Sequence, residues 1–176
     1  GLAAQAMQQG PAAMQRFVEQ RPALQTMFNG GIVIHDSQGA VVADFPQMKS
    51  RHGLNYMDVD VIAAALKEGK TSIGRPIVGK SLKTPVIGMA APIRDAGGKI
   101  IGALGAGINL AAPNFLDQVS ESRFGKTGGY LLVSKAHRQV VTASDHQRIM
   151  EMLPQRGVIP LLDRFIDGFD GSGIAT

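Results

Sequence analysis

The chain has 176 residues, a formal charge of +4, 44% hydrophobic residues and no cysteine. That apolar content supports a packed core and excludes a disordered chain, and the missing cysteines exclude a disulfide framework and any thiolate metal site. Lysine and arginine are scattered without a block of like charge, which excludes the basic stripe of a nucleic-acid-binding protein, and no apolar run reaches the ~18–20 residues of a membrane span.

The first thirty residues are rich in Ala, Gln and Met. Met14, Phe17 and Val18 fall at helical spacing, and Leu24, Met27 and Phe28 continue it. Pro11 and Pro22 suit the first turns of two successive helices, or of one kinked helix. Asn29 or Gly30 can close the helical stretch. "GIVIHDSQGAVVADF" reads as two short strands about a turn at Asp36–Gly39. "QMKSRHGLNYM" has no periodicity and reads as a loop. "MDVDVIAAALKEGK" reads as a helix, with Asp58 as N-cap and Asp60 in the first turn, where the macrodipole favours it. "TSIGRPIVG" is extended. "TPVIGMAAPIRDAGGKIIGALGAGINL" gives two longer strands turning at Asp95–Gly98, and "APNFLDQVSESRF" reads as a second helix.

The pattern then restarts. "GGIVIHDSQGAVVAD" and "GGYLLVSKAHRQVVTASD" both open on Gly-Gly, turn through polar residues, run through Val-Val and close on Asp, so the chain carries an internal repeat with a period of about a hundred residues. The second copy has room for its opening hairpin, a helix near Asp145–Met152 and "PLLDRFIDGF". It is expected to lack its last strands and to leave strand edges open.

These segments resemble those of a known family. "RFGKTGGYLLVSKAHRQVVTASD" is similar to the junction into the second module of double Cache domains, the tandem PAS-like extracytoplasmic sensors of bacterial transmembrane receptors. "PVIGMAAPIRDAGGKIIGALGAGINL" resembles the closing hairpin of their first module, and "HGLNYMDVDVIAAALKEGKTSIGRPIVG" the helix and strand before it. "GVIPLLDRFIDGFDGSG" resembles the variant found on sensor diguanylate cyclases. The resemblance covers about residues 25–176. It implies an α+β fold of two PAS-like antiparallel sheets in tandem, with a long N-terminal helix and an incomplete second module. The implied divisions are a helical stalk over 1–29, a membrane-distal module over 30–110, a connecting helix over 111–127 and the truncated start of a membrane-proximal module over 128–176. It implies ligand binding in the distal module, a periplasmic location, and flanking membrane helices and an output domain outside this chain. The N-terminal helix is a candidate surface for a homodimer.

The sequence also departs from the family. Relatives carry an Arg with aromatic residues at the start of the helix after the loop; Val59, Asp60, Val61 and Ile62 stand here. Amino-acid-binding relatives carry an Asp late in the last strand, where this chain has Asn109. Both poles of an amino-acid site are thus missing. Arg75 stands where relatives often have Asp.

"GRPIVGKS" matches G-x-x-x-x-G-K-[ST], but that phosphate cradle needs a helix after it, and Pro85 lies in a segment that reads as a strand. The residues expected at a ligand site are therefore others. Arg51, His52, Asn55 and Tyr56 lie in the loop that covers a sheet face; they form a polar clamp, or a solvated loop whose Tyr plugs the core. Arg75, Lys80 and Lys83 favour an anionic ligand such as a small carboxylate, or are ordinary surface charge. Met89, Ala91 and Asn109 are placed on the hairpin as pocket wall, where small residues leave space. The four histidines have no metal-ligand spacing, no cofactor is expected, and no catalytic constellation is found. The function expected is small-molecule sensing for a cytoplasmic output such as a diguanylate cyclase. The alternative is a ligand-free dimerisation or protein-interaction module of a histidine kinase or chemoreceptor.

Overall fold

The structure, a computed structural model, describes residues 1–120 and 125–174. The chain divides into two compact units, Gly1–Gly74 with Val78–Asn114, and Arg75–Ile77 with Phe115–Thr176. The fold class is the α+β one expected from the sequence.

Three short helices come first: α1 (Leu2–Gln9), α2 (Pro11–Glu19) and α3 (Pro22–Met27). The expected long helix is broken twice. Pro11 and Pro22 each open a new helix, because proline lacks the N–H that would continue the preceding one and its fixed φ suits a first turn. Gly10 makes the first corner with φ 95°. Ala4, Ala6, Ala13, Met14 and Val18 are buried against the sheet, while Gln5, Gln8, Gln9, Arg16 and Glu19 face solvent.

The sheet has five strands in the order β2-β1-β5-β4-β3. They are β1 (Gly31–Asp36), β2 (Val41–Phe45), β3 (Ser72–Val78), β4 (Pro85–Arg94) and β5 (Ile100–Asn109). Both expected turns form: Gly39 donates to the Asp36 carbonyl and Gly98 to that of Asp95, each at 3.1 Å. Antiparallel partners share a face, so the register assigns every side chain. Ile32, Ala106 and Met89 lie on one face, as do Ile34, Leu104 and Ala91. Ile32 and Ile34 pack with α1 and α2 there. Val33, Gly105 and Ala90 lie on the other face, with His35, Ala103 and Pro92.

That second face is covered by α4 (Asp60–Ala63), which runs on as a π-helical turn over Ala64–Glu68 and ends at Gly69 in the left-handed region. Val61, Ile62 and Ala65 pack on Ala90 and Ala103. The helix begins later than expected. Val59 donates to the Tyr56 carbonyl in a turn of its own, so Val59 takes the N-cap position without a side-chain bond and Asp58 stays outside. Asp60 is in the first turn, as expected.

The second unit holds β6 (Leu131–Ser134) and β7 (Gln139–Ala143), the antiparallel hairpin that the repeat predicts. Of the helix expected over 112–124, α5 (Asp117–Ser120) is described, and the rest of its C-terminal part lies outside the described residues. In place of the helix expected near Asp145–Met152 there is a single 3-10 turn, His146–Arg148, capped by the Asp145 side chain. The chain after it returns to β7, where Val140 donates to the Glu151 carbonyl and Met150 to that of Val140. A short extended segment there satisfies the edge of β7, which a helix could not. Among the described residues β6 pairs with β7 alone. Helix α6 (Pro160–Ile166) places Leu162 and Ile166 on the Val140, Ala143 and Leu153 core. Among the described residues no helix is long and apolar enough to cross a membrane.

Gly102 is where α1 meets the sheet. A Cβ there would run into the His35 carbonyl and lie 2.7 Å from Met7 Cε. Gly102→Ala is expected to lower stability by about 1–3 kcal/mol. Gly97→Ala, whose nearest neighbour is Asp95 Oδ1 at 3.4 Å, is expected to stay within ~0.5 kcal/mol of the parent; urea unfolding of the two variants reads the contrast.

Candidate functional site

The loop between β2 and α4 is held down by one buried cation. Arg51 is 2% exposed. Its guanidinium donates to the Gly30 carbonyl at 2.6 Å, the Pro46 carbonyl at 3.1 Å and Asp44 Oδ2 at 3.4 Å. Its Nε reaches Ser81 Oγ at 3.4 Å. Asp44 is equally buried, and its Oδ2 also accepts from the Met48 N–H at 3.0 Å. Arg51 was expected as a ligand clamp. Its donors instead tie together β1, β2, the loop and the β3–β4 connection, because a guanidinium this deeply buried requires acceptors on every side.

Downstream of this anchor the loop folds over the α4 face and forms a cluster. The Tyr56 ring lies 5.1 Å from that of His35, tilted by 58°. Lys80 places its ammonium 5.4 Å from the Tyr56 ring centroid. It donates to the Asn55 carbonyl at 2.7 Å and closes an ion pair with Asp58. Its bond holds the Asp58 carboxyl below the usual carboxylate range. Asn55 braces the loop, donating to the Gln38 carbonyl and accepting from the Met57 N–H, both at 2.8 Å. His35 is 2% exposed with Nδ1 3.4 Å from the Gly39 carbonyl. Burial pushes its pKa down from 6.5 to about 4, overriding the Gly39 hydrogen bond and the Asp36 charge, which pull it up.

The remaining expected residues are divided between places. His52 is exposed at the loop tip and Arg75 is exposed on β3. Met89 and Ala91 lie on the α1–α2 face, opposite Tyr56. Asn109 ties down the end of β5: its Oδ1 accepts from Thr84 Oγ1 at 3.1 Å and the Ala111 N–H at 3.0 Å. The glycines of the α4 face leave little room. A Cβ at Gly74 would meet Val61 at 3.0 Å, one at Gly105 would meet His35 at 3.1 Å and Ile62 at 3.2 Å, and one at Gly107 would meet Val86 at 3.2 Å. They admit the helix and its side chains closely. The stretch 74–81 leaves a strand for a turn and then enters β4, so it offers no helix N-terminus to a phosphate. Among the described residues no group of three metal-ligating side chains converges. Lys80, expected to favour an anionic ligand, is in the cluster, and His35 is the residue there that sequence reasoning did not place at a site. A histidine inside "GIVIHDS" was the available signal for a buried polar group under the loop.

No family model matches the chain, and no curated protein matches it. Solved structures do. The ligand-binding domain of the Pseudomonas fluorescens chemoreceptor CtaA, in complex with L-serine, superposes with a TM-score of 0.67 at 22% identity, over 86% of this chain and 63% of that one. The ligand-binding domain of the Pseudomonas aeruginosa amino-acid chemoreceptor PctB, in complex with L-Arg, gives 0.67 at 22%, over 90% and 64%. That of PctC from the same organism, in complex with GABA, gives 0.63 at 18%, over 81% and 61%. This chain therefore has the fold of these Cache-type ligand-binding domains and spans less than two thirds of their length.

Two outcomes follow from the anchor and the cluster. Arg51→Met leaves Asp44 buried without its cation and is expected to lower stability by about 3 kcal/mol, with part recovered in the Arg51→Met/Asp44→Asn double variant. His35 has a folded pKa near 4 against 6.5 unfolded, so the unfolded chain binds the extra proton between these values. Its contribution is full above pH 6.5 and falls, by roughly 3 kcal/mol in all, as pH drops toward 4. Denaturant unfolding at a series of pH values reads this slope, and His35→Leu should flatten it.

Proposed function

We propose that this chain is the sensing part of an extracytoplasmic bacterial receptor, a binding domain and not a catalyst. On this reading residues 30–110 form the membrane-distal module and 128–176 the start of the proximal one. On this reading the helical stretch 1–29 is the stalk, 111–127 connects the two modules, and membrane helices and an output domain flank them. The observation that carries the reading is the shared fold, over 86% of the chain, with a receptor domain solved with a small ligand bound. A homodimer through the N-terminal helices would use their polar outer face, since the apolar face is engaged by the sheet.

The ligand site we favour is the Tyr56 cluster. Lys80 already holds a carboxylate there, that of Asp58, whose side chain is 68% exposed. A small carboxylate ligand can take its place on the same ammonium, over the same ring, with the Asn55 carbonyl fixing the geometry. At the end of β5, away from this cluster, Asn109 brings no negative charge for an amino-acid ammonium, and its amide oxygen is engaged by Thr84 and Ala111. The output on this reading is cytoplasmic. The resemblance of the C-terminal sequence favours a diguanylate cyclase, and the likeness to CtaA, PctB and PctC favours a chemoreceptor. A ligand-free interaction module is the second reading, and the closely filled glycines of the α4 face favour it.

A thermal-shift series with small carboxylates, amino acids, sugars and nucleotides separates these readings. A carboxylate is expected to raise the melting temperature in proportion to the logarithm of its concentration, stabilising by about 2.7 kcal/mol at a hundredfold excess over Kd. Lys80→Met and Tyr56→Ala should each remove the shift. A larger shift from an amino acid than from the matching carboxylate would sink the ligand assignment. No shift from any compound would leave the interaction module.

A further inference from the structure

The face of the sheet opposite Tyr56 carries an open cleft of about 450 Å³, between the helices α1 and α2 and the β4–β5 hairpin. Its volume is in the range of small-molecule sites. Leu2, Ala3, Phe17, Ala91, Ile93 and Leu104 give it apolar walls. Alanine at 3 and 91 keeps the space open where longer side chains would close it.

Two arginines also line this cleft, Arg21 and Arg94. The Arg21 guanidinium lies 4.5 Å from the Phe17 ring centroid and donates to the Gln20 carbonyl at 3.4 Å. That of Arg94 donates to the carbonyls of Gly98 at 3.0 Å and Gly69 at 3.2 Å. All these partners are neutral. Arg51, Arg138, Arg148, Arg156, Lys70 and Lys80 each pair with a carboxylate; among the described residues Arg21 and Arg94 do not. The Arg94 guanidinium is held at Gly69 on the other face, so the cation of the cleft is that of Arg21 over Phe17, and an apolar cleft with one unneutralised guanidinium is complementary to a molecule that is aliphatic along its length and anionic at one end.

We propose that this cleft is a second ligand site, separate from the Tyr56 cluster, and that it takes an aliphatic monocarboxylate. The alkyl chain lies between Phe17, Ala91 and Leu104, and the carboxylate meets Arg21. Such a ligand touches α1 and α2 on one side and the hairpin on the other, so its binding clamps the N-terminal helices to the sheet. The site stands on its own residues and does not depend on the reading of the Tyr56 cluster.

The test titrates the 15N-labelled chain with hexanoate, hexylammonium and acetate and follows the amide resonances. Hexanoate is expected to move the amides of Ala3, Ala91 and Leu104. Acetate lacks the chain and hexylammonium carries the opposite charge, so neither should do so. Pentanoate should bind roughly fourfold more weakly than hexanoate, the loss of one buried methylene. Arg21→Gln should weaken hexanoate about tenfold, the loss of one charge-assisted hydrogen bond. Ala91→Trp should block it, and the amide map of the unsubstituted chain locates the site even if that variant does not fold. Equal binding of hexylammonium, no response to millimolar hexanoate, or shifts confined to Tyr56 and its neighbours would overturn the proposal. The last of these would assign the acid to the Tyr56 cluster instead.

Discussion

The α4 side of the five-stranded sheet depends on the guanidinium of Arg51. The loop from Pro46 to Val59 holds a 3-10 turn at Lys49–Arg51 and is tied to the first hairpin where Val41 donates to the Leu54 carbonyl and Tyr56 to that of Gly39, and it must lie flat enough for Tyr56 to reach His35. A buried arginine achieves this because its planar donors can serve several elements at once. One cation meets the start of β1, the end of β2 and the connection before β4. Burial makes the arrangement all-or-none. With Asp44 present the charge is balanced, and without it the same burial becomes a penalty. The anchor therefore selects one loop conformation, and Asn55, Tyr56 and Asp58 take their places from it.

Glycine and alanine on β4 and β5 do two different things on the two faces. On the α4 face Gly105 and Gly107 admit His35, Ile62 and Val86 at close range, and the face is filled. On the other face Ala91 borders an open cleft while Gly102 lets Met7 touch the strand. The same small-residue composition thus gives dense packing on one side and a cavity on the other. The difference lies in what is brought to the strand. Val61 and Ile62 come on a helix with branched side chains facing the sheet, whereas α1 presents Ala3 and Ala4.

The strands were legible in the sequence because their signals are local. The turns at Asp36–Gly39 and Asp95–Gly98 carry their own Asp and Gly chemistry, and the repeat at residue 128 marks the second hairpin independently. The start of α4 lies one residue beyond the expected one, because Asp58 is engaged by Lys80 across 22 residues and Val59 takes the N-cap position instead. Arg51 reads in the sequence as part of a clamp or of a solvated loop, since its shortest contact is to an acceptor 21 residues away and no local pattern distinguishes a buried arginine from an exposed one. Met89 and Ala91 were grouped with Tyr56 because all were expected to face a pocket. A shift of one residue in register moves a side chain to the opposite face, and alternation in "GMAAP" is too weak to fix that register. Only the pairing with β5, and through it with β1, assigns the face.

Both faces are mechanically joined through the same two strands. Ala90 and Ala103 support α4, and their neighbours Ala91 and Leu104 line the cleft beneath α1 and α2. Arg94 makes the connection specific. It lines the cleft, and it donates to the carbonyl of Gly69, the residue that ends the π-helical turn on the other face. Its guanidinium is on the Gly69 side, so the cleft and the π-helical turn are joined through the Arg94 backbone and its strand rather than through a shared donor.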